Sequence, residues 1–502
     1  MIRFLLFPSI ALLLFSCKNI SNPSVEKQLN PIEYSMDNSA KMILENPEIN
    51  SISIGVFKDG TTYSKYYGEI DKGKGNKAND NSIFEIASVT KTFTAYITAQ
   101  AVLEEKLRLD DDIRKYLDGS YSNLEFANRP ILVKDILTHT TGIKREHFSN
   151  TLAKMFSIDA TKDDRKAITE YNKSNFIEDL KNYKLDVLPG KEYDYSGFVA
   201  PEILALILEK VYQRPYSELI DEFILEKAGM SHTSMRVSDE DEKYVLNGYT
   251  NNNQLVQPLQ MPLTGAGGGL KSTVPDMLKY IEFLLEGDNS VVQEMKSPLF
   301  FDEIESEEYG YFWMVDGDDI MLHNGGTGGS VNWLILLPKT NSGFTVSFNY
   351  NGDSAGDLIN TIASFLITDL LNYPTKNAYY LISDYVRETP DTWVDKYHQL
   401  KKEDGNKYNF DDASLQYDLG HEFLESNKTK EAIQVFQLMI SEFPNSVYAY
   451  NSLGEAYFLN EQYDLSLDNF KKSLELKPEK NKALEMIKKL KKLKTTKRIF
   501  DN

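Results

Sequence analysis

Residues 51–57 (Ser-Ile-Ser-Ile-Gly-Val-Phe) alternate between small or polar and apolar positions with a period of two, then meet Asp59-Gly60. That is the signature of a strand running into a tight hairpin, and residues 61–70 return as its partner. A loop rich in Gly, Lys, Asn and Asp (71–81) follows. From Val89 the pattern becomes apolar and helical, passing through Tyr96, Ile97 and Val102 to Glu105. Further helices are expected up to Tyr116, ending at Gly142, over 201–211, over 274–285 and over 358–371, with a polar helical stretch at 151–184. Near the end of this part, 311–315, 320–323, 331–337 and 344–348 read as strands, with 338–343 turning between the last two. Strands at both ends with helices between predict an α+β domain, one antiparallel sheet assembled from the two chain ends and flanked by helices.

Beyond Tyr373 the composition turns charged and helical. Residues 379–388 and 392–402 read as a connecting helical pair around Pro390. Leu419-Gly420, Phe423, Ala432, Phe436 and Pro444 recur 34 residues on as Leu453-Gly454, Tyr457, Ser466, Phe470 and Pro478. This resembles the tetratricopeptide (TPR) repeat, with small residues where two helices cross, large ones filling the interface and proline at the turn. Two repeats bury little, so the preceding helices and the Lys-rich helix at 482–493 are expected to cap them, the basic face of the latter being solvated. The expected division is the α+β domain over 33–372, a helical connector over 373–410, and an all-α TPR domain with its capping helix over 411–494.

Met1-Ile2-Arg3 and the apolar run 4–15 are too short to span a bilayer, which takes about 20 residues, and fit a secretory signal. The run ends Leu14-Phe15-Ser16-Cys17, which resembles a bacterial lipobox. Residues 1–16 are then the signal, Cys17 the lipidated residue and 17–32 a tether. The expectation is export to the cell envelope and attachment to a membrane by acyl chains. Cys17 is the one cysteine, so disulfides and cysteine chemistry in the folded body are excluded. The six histidines show no close pairing, so no metal site is expected. A formal net charge of −20 argues against nucleic-acid binding.

Ser88-Val89-Thr90-Lys91 opens the first long helix. A spacing of three places hydroxyl and amine about one turn apart on one face, and an amine is one way to activate a serine. The motif is short, and Ser24-Val25-Glu26-Lys27 repeats it in a polar stretch. His139, in Thr138-His139-Thr140-Thr141-Gly142, is read as satisfying a helix end in preference to acting as a base. Tyr193 and Tyr195 lie two apart in an irregular stretch, where one side chain can enter the core and the other a cleft. The run Gly265-Ala266-Gly267-Gly268-Gly269 is read as a structural loop.

Ser88-Val89-Thr90-Lys91, Thr138-His139-Thr140-Thr141-Gly142, Tyr195-Ser196-Gly197 and His323-Asn324-Gly325 occur in the order and at about the spacing of the serine β-lactamase-like hydrolases. That family includes class C β-lactamases, DD-peptidases, D-aminopeptidases and related esterases. Leu225-Glu226-Lys227-Ala228-Gly229-Met230 and Gly267-Gly268-Gly269-Leu270-Lys271-Ser272-Thr273 resemble its connecting segments, so the likeness covers about residues 33–372. The resemblance implies Ser88 as the acylated nucleophile, with Lys91 and Tyr195 as base and proton relay. It implies His323, in place of a common lysine, and Gly325 as substrate-side groups, and the N–H groups of Ser88 and Gly326 as an oxyanion hole. No cofactor is implied. Relatives carry an asparagine where Gly197 stands, and it hydrogen-bonds the substrate amide; glycine cannot. Small esters, or D-amino-acid amides or peptides, are the expected substrates. A DD-peptidase or β-lactamase is the alternative. A non-catalytic ligand-binding lipoprotein, with the TPR repeats supplying a protein partner, is a third reading.

Overall fold

The structure is a computed structural model. It describes residues 30–155, 161–256, 258, 263–286, 290–302, 307–317, 320–389, 392–411, 413–478 and 482–500. The expected signal, Cys17 and most of the tether lie outside these. Packing divides the described residues into two compact units, one from Ser39 to Ile367 and one formed by residues before Ser39 with those from Thr368 onward.

The first unit is built on an eight-stranded sheet. Its strands are β1 (Ser51–Lys58), β2 (Thr61–Gly68), β3 (Phe300–Asp302), β4 (Glu307–Tyr309), β5 (Met314–Asp316), β6 (Ile320–Gly326), β7 (Val331–Leu337) and β8 (Ser342–Phe348). The order is β2-β1-β8-β7-β6-β5-β4-β3, every neighbouring pair antiparallel. The first and last strands of the unit therefore lie side by side, with Ile54 opposite Val346. β7 and β8 are buried along their whole length and β1 along nearly all of it, so both faces are covered. The helix Val274–Leu285 lies on one face, where the glycines at 55 and 343 admit Val274 and Ile281. On the other, the Trp333 indole N–H donates to Asn360 of the helix Ala355–Leu371 at 2.9 Å.

Several boundaries differ from the sequence reading. The strand expected at 311–315 begins only at Met314, because Phe312 takes a left-handed φ of 61° and donates its N–H to Leu137 O at 2.8 Å. The strand expected at 320–323 runs on to Gly326, carrying His323-Asn324-Gly325 within the sheet. β2 stops at Gly68 (φ 73°) short of Ile70. The strands β3, at the sheet edge, and β4 beside it, three residues each, are too short for a period to register. The first long helix starts at Thr90, one residue late, and Ser88 occupies a 3₁₀ turn, Ala87–Val89.

The second unit holds the helices Tyr379–Glu388 and Trp393–Asp404, then two helical hairpins, Ser414–Glu425 with Thr429–Glu442 and Val447–Leu459 with Tyr463–Leu476. A side chain at Gly420 would enter the Phe436 ring, and one at Gly454 would stand 3.1 Å from the Phe470 ring. Ser466, in alanine's usual place, is accommodated because its hydroxyl donates to Gly454 O at 2.7 Å. Phe470 shares a small core with Ala483 and Leu490 of the last helix (Lys482–Phe500), which thereby covers the end of the array. Among the described residues no helix is long and apolar enough to cross a membrane.

Gly420→Ala is expected to destabilise this unit by about 1–3 kcal/mol, since the Phe436 ring must leave its rotamer. Urea unfolding followed by circular dichroism measures it. An unchanged midpoint would show that the helix pair can open without cost.

Candidate active site

The turn carrying Ser88 is held from two sides. Phe84–Glu85 pairs with Lys271–Ser272, and Ile86 N donates to Leu270 O at 3.2 Å. On the other side β6 passes so closely that a Cβ on Gly325 would lie 2.5 Å from Ile86 O and 3.1 Å from Ser88 N. Only glycine fits there. Between these clamps Ala87 takes φ 47°, a left-handed value costing about 1–3 kcal/mol for a non-glycine residue and tolerated where the surroundings impose it. The result is a half-buried Ser88 with its hydroxyl reachable from solvent.

The helix Thr90–Leu103 has eleven of fourteen residues buried, and Lys91 is among them at 1% exposure. Lys91 Nζ lies 3.0 Å from Ser88 Oγ and 2.6 Å from Gly267 O. No carboxylate of the described residues pairs with it. Burial lowers its pKa, against a smaller opposing effect of Tyr195. Tyr195, 39% exposed, places its hydroxyl 2.7 Å from Ser88 Oγ, and its ring lies 5.1 Å from Lys91 Nζ. Serine, lysine and tyrosine, drawn from a turn, a helix and an irregular segment, thus meet at one oxygen.

His139 packs against the Tyr195 ring (centroids 4.6 Å apart) and against Phe312 (5.1 Å). Its Nδ1 lies 3.4 Å from Ser196 Oγ, and its Nε2 has no partner among the described residues. Burial, then the charges of Lys91 and His323, hold its pKa well below the imidazole range. It supports the tyrosine from behind and is 3% exposed. His323 is buried too, with Nδ1 2.7 Å from Asn324 O, which makes Nδ1 the protonated nitrogen of the neutral ring. Burial, with Lys91 adding to it, pushes its pKa down to about 3. The ring of His323 is therefore uncharged at neutral pH. Gly326 pairs with Val331 while Thr327 N bonds to Ser330 O at 2.9 Å. By antiparallel alternation, the Gly326 N–H then points away from β7, toward the edge that carries Ser88.

Two features escaped the sequence reading. The glycine run, read as a structural loop, supplies the Gly267 carbonyl that meets Lys91. Glu202, hidden in an apolar helix (Val199–Tyr212), is 1% exposed and binds that same loop. Glu202 is the one charged residue between Val199 and Leu208, and that was the available signal. Among the described residues no three His, Cys, Asp or Glu side chains converge as a metal site would need.

The Beta-lactamase family model matches residues 38–367 and a Tetratricopeptide repeat model residues 447–480. Protein flp of Staphylococcus aureus (strain N315) is 26% identical over 358 residues, spanning 68% of this chain and 68% of its own. A Beta-lactamase of Providencia stuartii is 25% identical over 252 residues, 50% of this chain and 59% of its own. Among solved structures, the Beta-lactamase/D-alanine carboxypeptidase from Yersinia pestis complexed with citrate superposes with a TM-score of 0.57 at 22% identity, covering 68% of this chain and 99% of that one. The octameric penicillin-binding protein homologue from Pyrococcus abyssi gives 0.54 at 23%, covering 71% and 81%. These two establish the fold.

The histidine has a thermodynamic consequence. His323 goes from a pKa of 6.5 unfolded to about 3 folded, so the unfolded chain binds its proton first as pH falls. The stability present above pH 6.5 is lost progressively toward pH 3, at up to ~1.4 kcal/mol per pH unit. His323→Gln is expected to flatten that loss relative to the parent in urea unfolding across this range. Parallel curves would place the burial penalty elsewhere.

Proposed function

This chain belongs to the Beta-lactamase family, and we propose that it is an exported serine hydrolase that acts on small esters through a Ser88 acyl-enzyme. The observation that carries the reading is the meeting of Lys91 Nζ and Tyr195 Oη on Ser88 Oγ, at 3.0 and 2.7 Å, with the lysine desolvated and free of any carboxylate partner among the described residues. In the proposed mechanism neutral Lys91, with Tyr195 as relay, takes the Ser88 proton as Oγ attacks the carbonyl carbon. The negative charge that develops on the carbonyl oxygen is held by the N–H groups of Ser88 and Gly326. The carbonyl–oxygen bond to the alcohol then breaks, the alcohol leaves with the proton, and Ser88 is left acylated. Water, deprotonated by the same pair, attacks the acyl carbon and releases the acid, returning the proton to Ser88.

The preference for esters rests on two positions. Gly197 offers no amide to a peptide or β-lactam carbonyl, and His323 is neutral where many, though not all, relatives carry a lysine. A D-amino-acid amidase, DD-peptidase or β-lactamase is the second reading, favoured by the names of the Providencia and Yersinia relatives. The Cys17 lipid anchor, the envelope location and a protein partner for the TPR repeats belong to the same proposal.

Incubation of the full chain with a fluorophosphonate probe, p-nitrophenyl butyrate and nitrocefin, with adducts located by mass, tests it. Ser88→Ala is expected to abolish the adduct and to lower ester turnover by at least ~10³-fold, as losing the nucleophile does in serine hydrolases. Absence of any Ser88-dependent adduct or turnover would leave the non-catalytic binding reading standing. Nitrocefin turnover without ester turnover would promote the second reading.

Gly197→Asn probes the preference. Gly197 lies at φ 57°, a region that asparagine tolerates, and a Cβ there would come no closer than 3.5 Å to Tyr195 and 3.9 Å to Arg145. The variant is expected to fold and to raise the ratio of nitrocefin to ester turnover about tenfold, the worth of one added hydrogen bond. An unchanged ratio would remove Gly197 as the determinant.

A further inference from the structure

Glu202 lies four residues into the helix that follows Tyr195-Ser196-Gly197, and no basic side chain of the described residues pairs with it. Burial pushes its pKa up to about 7, and its ionised form persists at neutral pH and above only because donors replace its water. Here they all come from one segment. Thr264 donates its hydroxyl at 2.7 Å and its N–H at 3.2 Å, Ala266 its N–H at 3.1 Å, and the Gly265 N–H also points to it. Tyr216 faces it as well, with its own hydroxyl 2.5 Å from Thr94 Oγ1.

The segment so held touches every part of the nucleophilic group. Its next residue gives the carbonyl that receives Lys91 Nζ. A Cβ on Gly267 would stand 3.1 Å from Gly197 O, and one on Gly268 3.5 Å from the Ala87 carbonyl carbon. Ala266 O accepts from Thr94 Oγ1 at 3.2 Å, one turn beyond Lys91. Displacing this segment would therefore move the acceptor of Lys91 and loosen the contacts behind both Ser88 and Tyr195.

We propose that Glu202 is a positioning residue. By gripping Thr264, Gly265 and Ala266 it fixes the Gly267 carbonyl on Lys91 Nζ, and so aims the amine at Ser88 Oγ. The proposal rests on Lys91 acting as the base. It adds a carboxylate that never touches substrate yet determines how well that base is placed. Apolar packing alone would not serve, because the segment's N–H groups need an acceptor and water is excluded.

The test is the rate of Ser88 labelling by a fluorophosphonate, with kcat and KM for p-nitrophenyl butyrate, across pH, in the parent, Glu202→Gln and Thr264→Val. Misplacement of a catalytic group by about 1 Å costs up to ~10²-fold. Glu202→Gln is expected to slow labelling and kcat about 10- to 10²-fold with KM changed less than about threefold. Thr264→Val, which removes one donor and leaves the carboxylate, is expected to show a smaller loss of the same kind. In both the acid limb of the rate profile is expected to move to lower pH. A carbonyl acceptor stabilises the lysine's ammonium form, and its loss lowers the lysine's proton affinity. A merely structural role would reduce the folded fraction without moving that limb. If Glu202→Gln does not fold, Thr264→Val decides. Labelling at the parental rate, a loss confined to KM, or an unmoved acid limb in a folded variant would each overturn the proposal. Failure of the parent itself to label at Ser88 would instead bring down the base assignment on which it rests, a result visible before any variant is compared.

Discussion

A lysine taken almost wholly out of water without a carboxylate beside it is the constraint on which the rest of this site depends. An ammonium in that position is costly, and a paired carboxylate would make it affordable only by holding the proton in place. The protein does neither. Lys91 is given a backbone carbonyl and two hydroxyls, groups that satisfy an amine's hydrogen bonds without adding a full negative charge. A helix buried on nearly every side, its threonines included, is what keeps water away from it. The chemistry is thus a property of the domain core as much as of three side chains.

The second requirement is a serine that stays reachable while its backbone is fixed. The sheet provides it by closure. Because β1 pairs with β8, the strands of the two chain ends form one surface, and β6 reaches its edge beside the Ser88 turn. Gly325 allows the approach, and the left-handed Ala87 marks the strain that this approach imposes. Neither constraint can be met by the turn alone. One partner lies more than two hundred residues away in sequence, so the site forms only when the whole sheet does.

That distance explains what could be read in the sequence. The alternation of Ile52, Ile54 and Val56, the Asp59-Gly60 turn and the repeat that places Gly420 against Phe436 are local patterns, and each appears in the structure at its expected place. Ser88, Lys91 and Tyr195 were legible through their order along the chain, and the structure brings them together. The break at Phe312 was not legible, since an apolar run gives no sign that one residue will turn left-handed to meet Leu137. Nor was the partnership of Glu202 with Thr264, which joins two unremarkable stretches 62 residues apart.

Gly197 shows how recognition can change while bond-making groups stay put. The backbone there is left-handed at φ 57°, so the position accepts glycine or asparagine far more readily than any branched residue. A Cβ there would come no closer than 3.5 Å to the Tyr195 ring, so either residue fits beside the tyrosine whose hydroxyl lies 2.7 Å from Ser88 Oγ. His323 is a buried neutral ring, and neither it nor Gly197 is among the groups that hydrogen-bond Lys91, so the acceptors of the amine are set independently of both positions.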